Sequence, residues 1–111
     1  MAVFALHAAP NEMIDCRYID SVDLTIANVG EKAFDVLVEM KDASGILYLS
    51  LCEVKPGSVH IQTNLLTRFA SFDLLVVTNL NQSKATSLTI IAKNQGATVA
   101  VFTHDNCERM N

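Results

Sequence analysis

The chain has no tryptophan, only two prolines and four glycines in 111 residues, and just 18% of it is charged. Each shortage excludes something. The eight basic residues (Arg17, Lys32, Lys41, Lys55, Arg68, Lys84, Lys93 and Arg109) are scattered without a cluster. With no Trp beside them, neither the basic stripe nor the stacking platform of a nucleic-acid binder is present. The four glycines are isolated from one another, so there is no phosphate-cradling loop. No stretch approaches the ~18 to 20 apolar residues of a membrane span. The opening MAVFALHAAP is apolar but lacks the basic and long hydrophobic regions of a secretory signal peptide. Cys16, Cys52 and Cys107 are widely spaced, without the C-x-x-C pattern of a zinc or redox site.

Low charge also has a positive meaning. A domain of this size forms one core comfortably, and a small domain has proportionally more surface to wet. It should therefore exceed the typical ~25% of charged residues, not fall short of it. The shortfall points to surface that meets other protein. The competing explanation is a mild surface of Thr, Asn, Gln and Ser, which the chain also has. Net charge is −4, from 8 basic and 12 acidic residues.

What is present is punctuation. All four glycines and the pair Pro56-Gly57 fall in gaps between alternating apolar runs, where positive φ or a fixed φ helps a strand turn. From Arg17 onward a period of two dominates. Val22, Leu24 and Ile26 alternate with Asp23 and Thr25; Phe34, Val36, Val38 and Met40 alternate with Asp35, Glu39 and Lys41. Past the Asp42-Ala43-Ser44-Gly45 turn, Leu47, Leu49 and Leu51 share one face, and Tyr48, Ser50 and Cys52 the other. Val59 and Ile61 follow, with His60, Gln62 and Asn64 on the polar face. Residues 65–71 are ambiguous, a short helical crossing being one reading. Phe72 to Leu80 is apolar on both faces and predicts a central strand covered twice. A polar turn over Asn81-Gln82-Ser83-Lys84 precedes strands at 86–92 and 98–103, and His104 to Asn111 reads as a polar, fraying tail.

Short strands every 10 to 14 residues or so, with no amphipathic helix between them, predict an all-β antiparallel two-sheet sandwich over residues 16–111. Jelly-roll and immunoglobulin-like connections fit it equally. Residues 1–15 show no period and are expected to form an extended N-terminal connector arm. Val3, Phe4, Leu6, Met13 and Ile14 are its apolar residues and the expected subunit contacts.

Candidate chemistry is thin. His104 and Cys107, three apart, supply at most half of a metal site, and two further ligands would have to come from His7, His60 or Cys16. His60, on a polar strand face, reads as an ordinary solvent-exposed histidine. Cys52 lies mid-strand, with no basic residue clearly placed to lower its pKa, and reads as a small buried hydrophobe, not a nucleophile. Asp20/Asp23 and Glu31/Asp35 read as solvated strand ends. The chain is thus expected to be no enzyme, with no cofactor, metal or small-molecule substrate.

Two classes remain. One is a structural subunit that self-assembles into a fibre or surface layer, its arm docking on the next copy. Burying Val3, Phe4 and Leu6 there would contribute ~1.5 to 3 kcal/mol each before ordering costs. Cys16 and Cys107, near the two ends, are the candidates for cross-linking subunits; three reduced thiols are the alternative. The other class is a lone sandwich module that binds a protein or carbohydrate partner, although no aromatic cluster for sugar or peptide is evident.

From Lys32 to Thr78 the chain runs strand, Asp-Ala-Ser-Gly turn, strand, the Val54-Lys55-Pro56-Gly57-Ser58 turn, strand, Arg68-Phe69, strand. This pattern resembles the core of the small jelly-roll pilin subunits of bacterial endospore appendages, over about half the chain and in pattern more than identity. The resemblance implies a homopolymeric fibre at the spore or cell surface, exported without a signal peptide, whose N-terminal connector reaches into preceding subunits. A cytoplasmic location is the alternative. Connectors in that family carry paired cysteines, whereas this arm has only Cys16, which puts covalent cross-linking in doubt. A generic immunoglobulin-like surface module matches Val22 to Val59 nearly as well.

Overall fold

In a computed structural model, residues 1–80 and 83–109 are described. Nine strands account for most of them: β1 (Ala2–Ala8), β2 (Ser21–Asn28), β3 (Phe34–Asp42), β4 (Gly45–Val54), β5 (Val59–Leu66), β6 (Phe72–Thr78), β7 (Thr86–Asn94), β8 (Ala97–Thr103) and β9 (Glu108–Arg109). Three single 3-10 turns lie between them. The strands form two antiparallel sheets, one ordered β4-β3-β6-β1-β9 and the other β5-β2-β7-β8. The expected two-sheet sandwich is what the chain forms. Asn81 and Gln82 of the expected polar turn, and Met110 and Asn111 of the tail, lie outside the described residues.

Alternation decides what is buried, because successive strand residues point to opposite faces. Phe34, Val36, Val38 and Met40 of β3, and Phe72, Leu74 and Val76 of β6, point inward from the five-stranded sheet. They meet Val22, Leu24 and Ile26 of β2 and Leu88 and Ile90 of β7. Full burial of such side chains is worth about 1.5 to 3 kcal/mol each, and this layer is what holds the two sheets together.

The N-terminal segment differs from expectation. Residues 2–8 are no extended arm but a strand of the sandwich, paired with β6 from Ala2↔Thr78 to Ala8↔Phe72. Ala2, Phe4, Leu6 and Ala8 are buried, whereas Val3, Ala5 and His7 face out. The period is hidden in the sequence because alanine falls on both faces. The tail differs too: Glu108 and Arg109 form β9 against Ala5 and Phe4. Residues 65–71 contain no helix. β5 runs to Leu66, and a tight turn follows in which Ala70 N–H donates to Thr67 O at 3.1 Å. Its two central residues, Arg68 and Phe69, both have positive φ (55° and 63°), as a type I′ turn requires.

Two glycines are needed where they stand. A Cβ on Gly30 would lie 2.8 Å from the Ala85 Cβ, so the β2–β3 connection can pass only without a side chain. Gly57, at φ +75°, follows Pro56 in a turn closed by Ser58 N–H to Lys55 O at 2.9 Å, the geometry of a type II turn. Beside it Asn28 is fully buried. Its amide donates to Lys32 O (2.8 Å) and Val54 O (2.9 Å), and its Oδ1 accepts from Gly30 N–H (3.0 Å). One side chain thus fastens the ends of β2 and β4 and the loop into β3.

Candidate interaction surface

The expected contact residues do not share one surface. Phe4 and Leu6 belong to the chain's own core, because inward positions of β1 carry them; they are corrected from subunit contacts to core residues. Val3 faces out. Met13 is 100% exposed, and Ile14 is half-buried against the core. Both line an open apolar cleft of about 420 Å³ with Tyr18, Val99 and Phe102. The loop that holds them is tied to its own domain. Asp15 accepts from Asn11 N–H (3.1 Å), Arg17 N–H (3.0 Å) and Arg17 Nη2 (2.6 Å). The Arg17 guanidinium keeps the Asp15 carboxyl well below the usual carboxylate range.

The cysteines are free thiols. Cys16 is buried, its Sγ 3.9 Å from Ser71 Oγ, and could reach a neighbouring chain only if the loop unpacked. That disfavours the cross-link expected of it. Cys107 is half-buried, with Sγ donating to Thr103 O at 3.7 Å, and burial pushes its thiol up. Burial likewise pushes up Cys52. Thiolate, the reactive form, is disfavoured at both.

The histidines are dispersed. His60 is not solvent-exposed as expected: it points between the sheets, half-buried, and its Nε2 has no hydrogen-bond partner. His104 Nε2 lies 3.5 Å from Asp105 Oδ1. His7 Nδ1 lies 2.6 Å from Asp73 Oδ1 on the outer face, in an open groove shared with Glu39, Lys41 and Glu108. Among the described residues no three His, Cys, Asp or Glu side chains are grouped to hold a metal ion. No helix there is long and apolar enough to cross a membrane.

One surface does stand out. On the outer face of the five-stranded sheet, register aligns Leu51, Leu37, Val77 and Val3 in a row that runs across β4, β3, β6 and β1. The next row is Leu49, Glu39, Leu75 and Ala5. Sequence reading took β6 as a strand covered twice. No element of the described chain lies over its outer face, and Leu75 and Val77 are half-buried only by neighbours in their own sheet.

The row ends at an open edge. β4 is the longest strand and the outermost of its sheet, and its Leu49 and Leu51 are 56% and 74% exposed. Beside it β5 edges the other sheet, with Val59 and Ile61 also exposed. The inward faces of these two strands carry Tyr48, Ser50, Cys52, His60 and Gln62. Tyr48 Oη donates to Gln62 Oε1 at 3.0 Å and ties the two edges together. Both strands therefore turn polar residues in and apolar residues out.

No protein-family model matches this sequence, and no characterised protein matches it. The crystal structure of Thermotoga maritima 1070 shares the fold, with a TM-score of 0.51 and 11% identity over 91% of this chain and 88% of that one. The likeness is one of fold alone.

Proposed function

We propose that the chain is a non-catalytic structural subunit that assembles with copies of itself into a fibre or surface layer. One observation carries this reading: the uncovered apolar row Leu51–Leu37–Val77–Val3 on the outer face of the five-stranded sheet. Contiguous apolar patches larger than a few hundred Å² are rare on soluble monomers and, where they occur, mark protein contacts. The sequence's low charge supports the same reading. In it β1 stays in its own sheet, and Val3 is the N-terminal residue on the apolar outer face. A spore or cell surface is the setting that the family resemblance suggests. A second reading, a lone module for a protein or carbohydrate partner, draws on the open groove at His7 and Asp73, which mixes charged and apolar side chains.

The test is light scattering and negative-stain electron microscopy of the wild type beside Leu37→Lys, with circular dichroism to check the fold. Concentration-dependent assemblies that the variant loses support the subunit. A wild type that stays monomeric at hundreds of micromolar removes the reading.

A further inference from the structure

The apolar row says that a surface is used; the edge on which it ends says how. We infer that β4 pairs antiparallel with β4 of a second copy about a two-fold axis at Ser50, joining two five-stranded sheets into one continuous sheet. The inference rests on the self-assembly reading and gives it one specific contact, a closed pair, from which a fibre or layer would grow through the apolar outer face.

An outermost strand leaves half of its N–H and C=O groups pointing at solvent, and natural edges are shielded by charge, proline, bulges or brevity. β4 has little of this. It has ten residues, no proline, no lysine or arginine, and a single charge, Glu53. Its one irregularity is the register shift opposite Met40 and Lys41, which leaves Leu47 as an extra residue. From Tyr48 to Val54 the pairing with β3 is regular.

The sequence of β4 selects a copy of itself as the occupant, and it also selects the register. Antiparallel pairing about Ser50 sets Leu49 opposite the partner's Leu51, and Leu51 opposite the partner's Leu49. The two most exposed leucines of the strand then pack side by side across the seam. On the inward side Ser50 meets the partner's Ser50, and Tyr48 meets the partner's Cys52. Residues 48–52 of both copies lie clear of the irregularity at Leu47. Glu53 falls outside this segment, at the rim, so no charge is buried. Moving the axis to Leu49 would draw Leu47 of both copies into the pairing. Moving it to Leu51 would set Glu53 against the partner's Leu49. The outer row then runs on from Val3, Val77, Leu37 and Leu51 to the partner's Leu49 without a break. A contact of this kind, a short ladder with two leucine pairs, belongs to small interfaces of roughly micromolar affinity.

The experiment is site-directed disulfide trapping. Leu49→Cys and Leu51→Cys proteins are oxidised separately and as an equimolar mixture, and the cross-linked peptides are identified by mass spectrometry. Directly opposite positions in a sheet have Cβ atoms ~4.5 to 5.5 Å apart, and diagonal ones lie well beyond disulfide reach. The mixture is expected to give the 49–51 heterodimer, and each protein alone little dimer. Leu49→Lys in the wild-type background is expected to weaken association by ~100-fold or more with the fold intact by circular dichroism. Assembly of the wild type that survives Leu49→Lys, with no 49–51 cross-link, overturns the edge pairing and leaves self-assembly standing. A wild type that never associates overturns both.

Discussion

The two ends of the five-stranded sheet solve the same problem in opposite ways. At one end the described residues of β9, Glu108 and Arg109, are both charged, with the Arg109 guanidinium 5.7 Å from the Phe4 ring centroid. At the other end β4 runs for ten residues and presents leucines. Short, charged edges refuse a partner and long apolar ones invite it. In the proposed assembly the two-fold pairing at β4 closes a pair, and growth into a fibre or layer would run through the apolar outer face.

The comparison can be broken from the guarded side first. Phe4→Ala removes the ring on which β1 and β9 rest, and a buried Phe lost to a cavity costs ~3 to 5 kcal/mol. Urea denaturation should show a loss of unfolding free energy of that size, read as a lower midpoint at unchanged slope. An effect below ~1 kcal/mol would mean that β1 is not seated as described. Asn28→Ala should cost about 1 to 3 kcal/mol by the same measurement, since it strands the Val54 and Lys32 carbonyls where β4 ends.

Smaller effects sharpen the comparison. Phe69→Gly relieves a positive φ in a non-glycine residue and should gain up to ~1 kcal/mol, offset by whatever its half-exposed ring contributes. Leu51→Lys transplants a guard onto the open edge. It should leave stability within ~0.5 kcal/mol but lower self-association in sedimentation velocity, so loss of stability without loss of association would count against the edge.

Acid should act last and mildly. Burial pushes the Asp23 carboxyl up, but the Asn64 N–H at 2.8 Å and the Lys93 ammonium at 3.0 Å outweigh this and hold it below its ordinary 3.8. The folded state thus binds this proton less readily than the unfolded one. The stabilisation is full above pH 3.8 and is lost as pH falls through the folded value. Asp23→Asn should flatten the fall of thermal stability below about pH 4, and an unchanged slope there would show the pair to be inert.

How much of this was legible in the sequence differs by region for physical reasons. The central strands β2, β3, β6 and β7 were readable because their inward residues are large and apolar and the outward ones are often polar, as with Asp35 and Glu39. The face of the edge strand β5 was not. Hydrophobic-inside reasoning put His60 and Gln62 toward water, and they point between the sheets instead. Alternation gives the parity of a strand but not which parity faces the core, and at this edge the usual rule is inverted. β1 was missed because Ala2 and Ala8 on one face and Ala5 on the other erase the contrast on which period-two reading depends. Asn28 gave no signal at all, since nothing in a turn sequence distinguishes a buried amide from an exposed one.

The place of β1 has a consequence for how the molecule is made. Its partner β6 lies some seventy residues further along the chain, from Ala2↔Thr78 at one end to Ala8↔Phe72 at the other. Such long-range pairing is slow, since a large loop must close before any contact rewards it. During synthesis the segment with Phe4 and Leu6 leaves the ribosome before β6 and waits, unpaired, until β6 emerges. On a polysome, where neighbouring nascent chains are close, that waiting strand can reach the β6 of another chain before its own. Crowding at birth is therefore a hazard built into this order of strands. Slowing initiation, which spaces the ribosomes, should raise the yield of correctly folded chains.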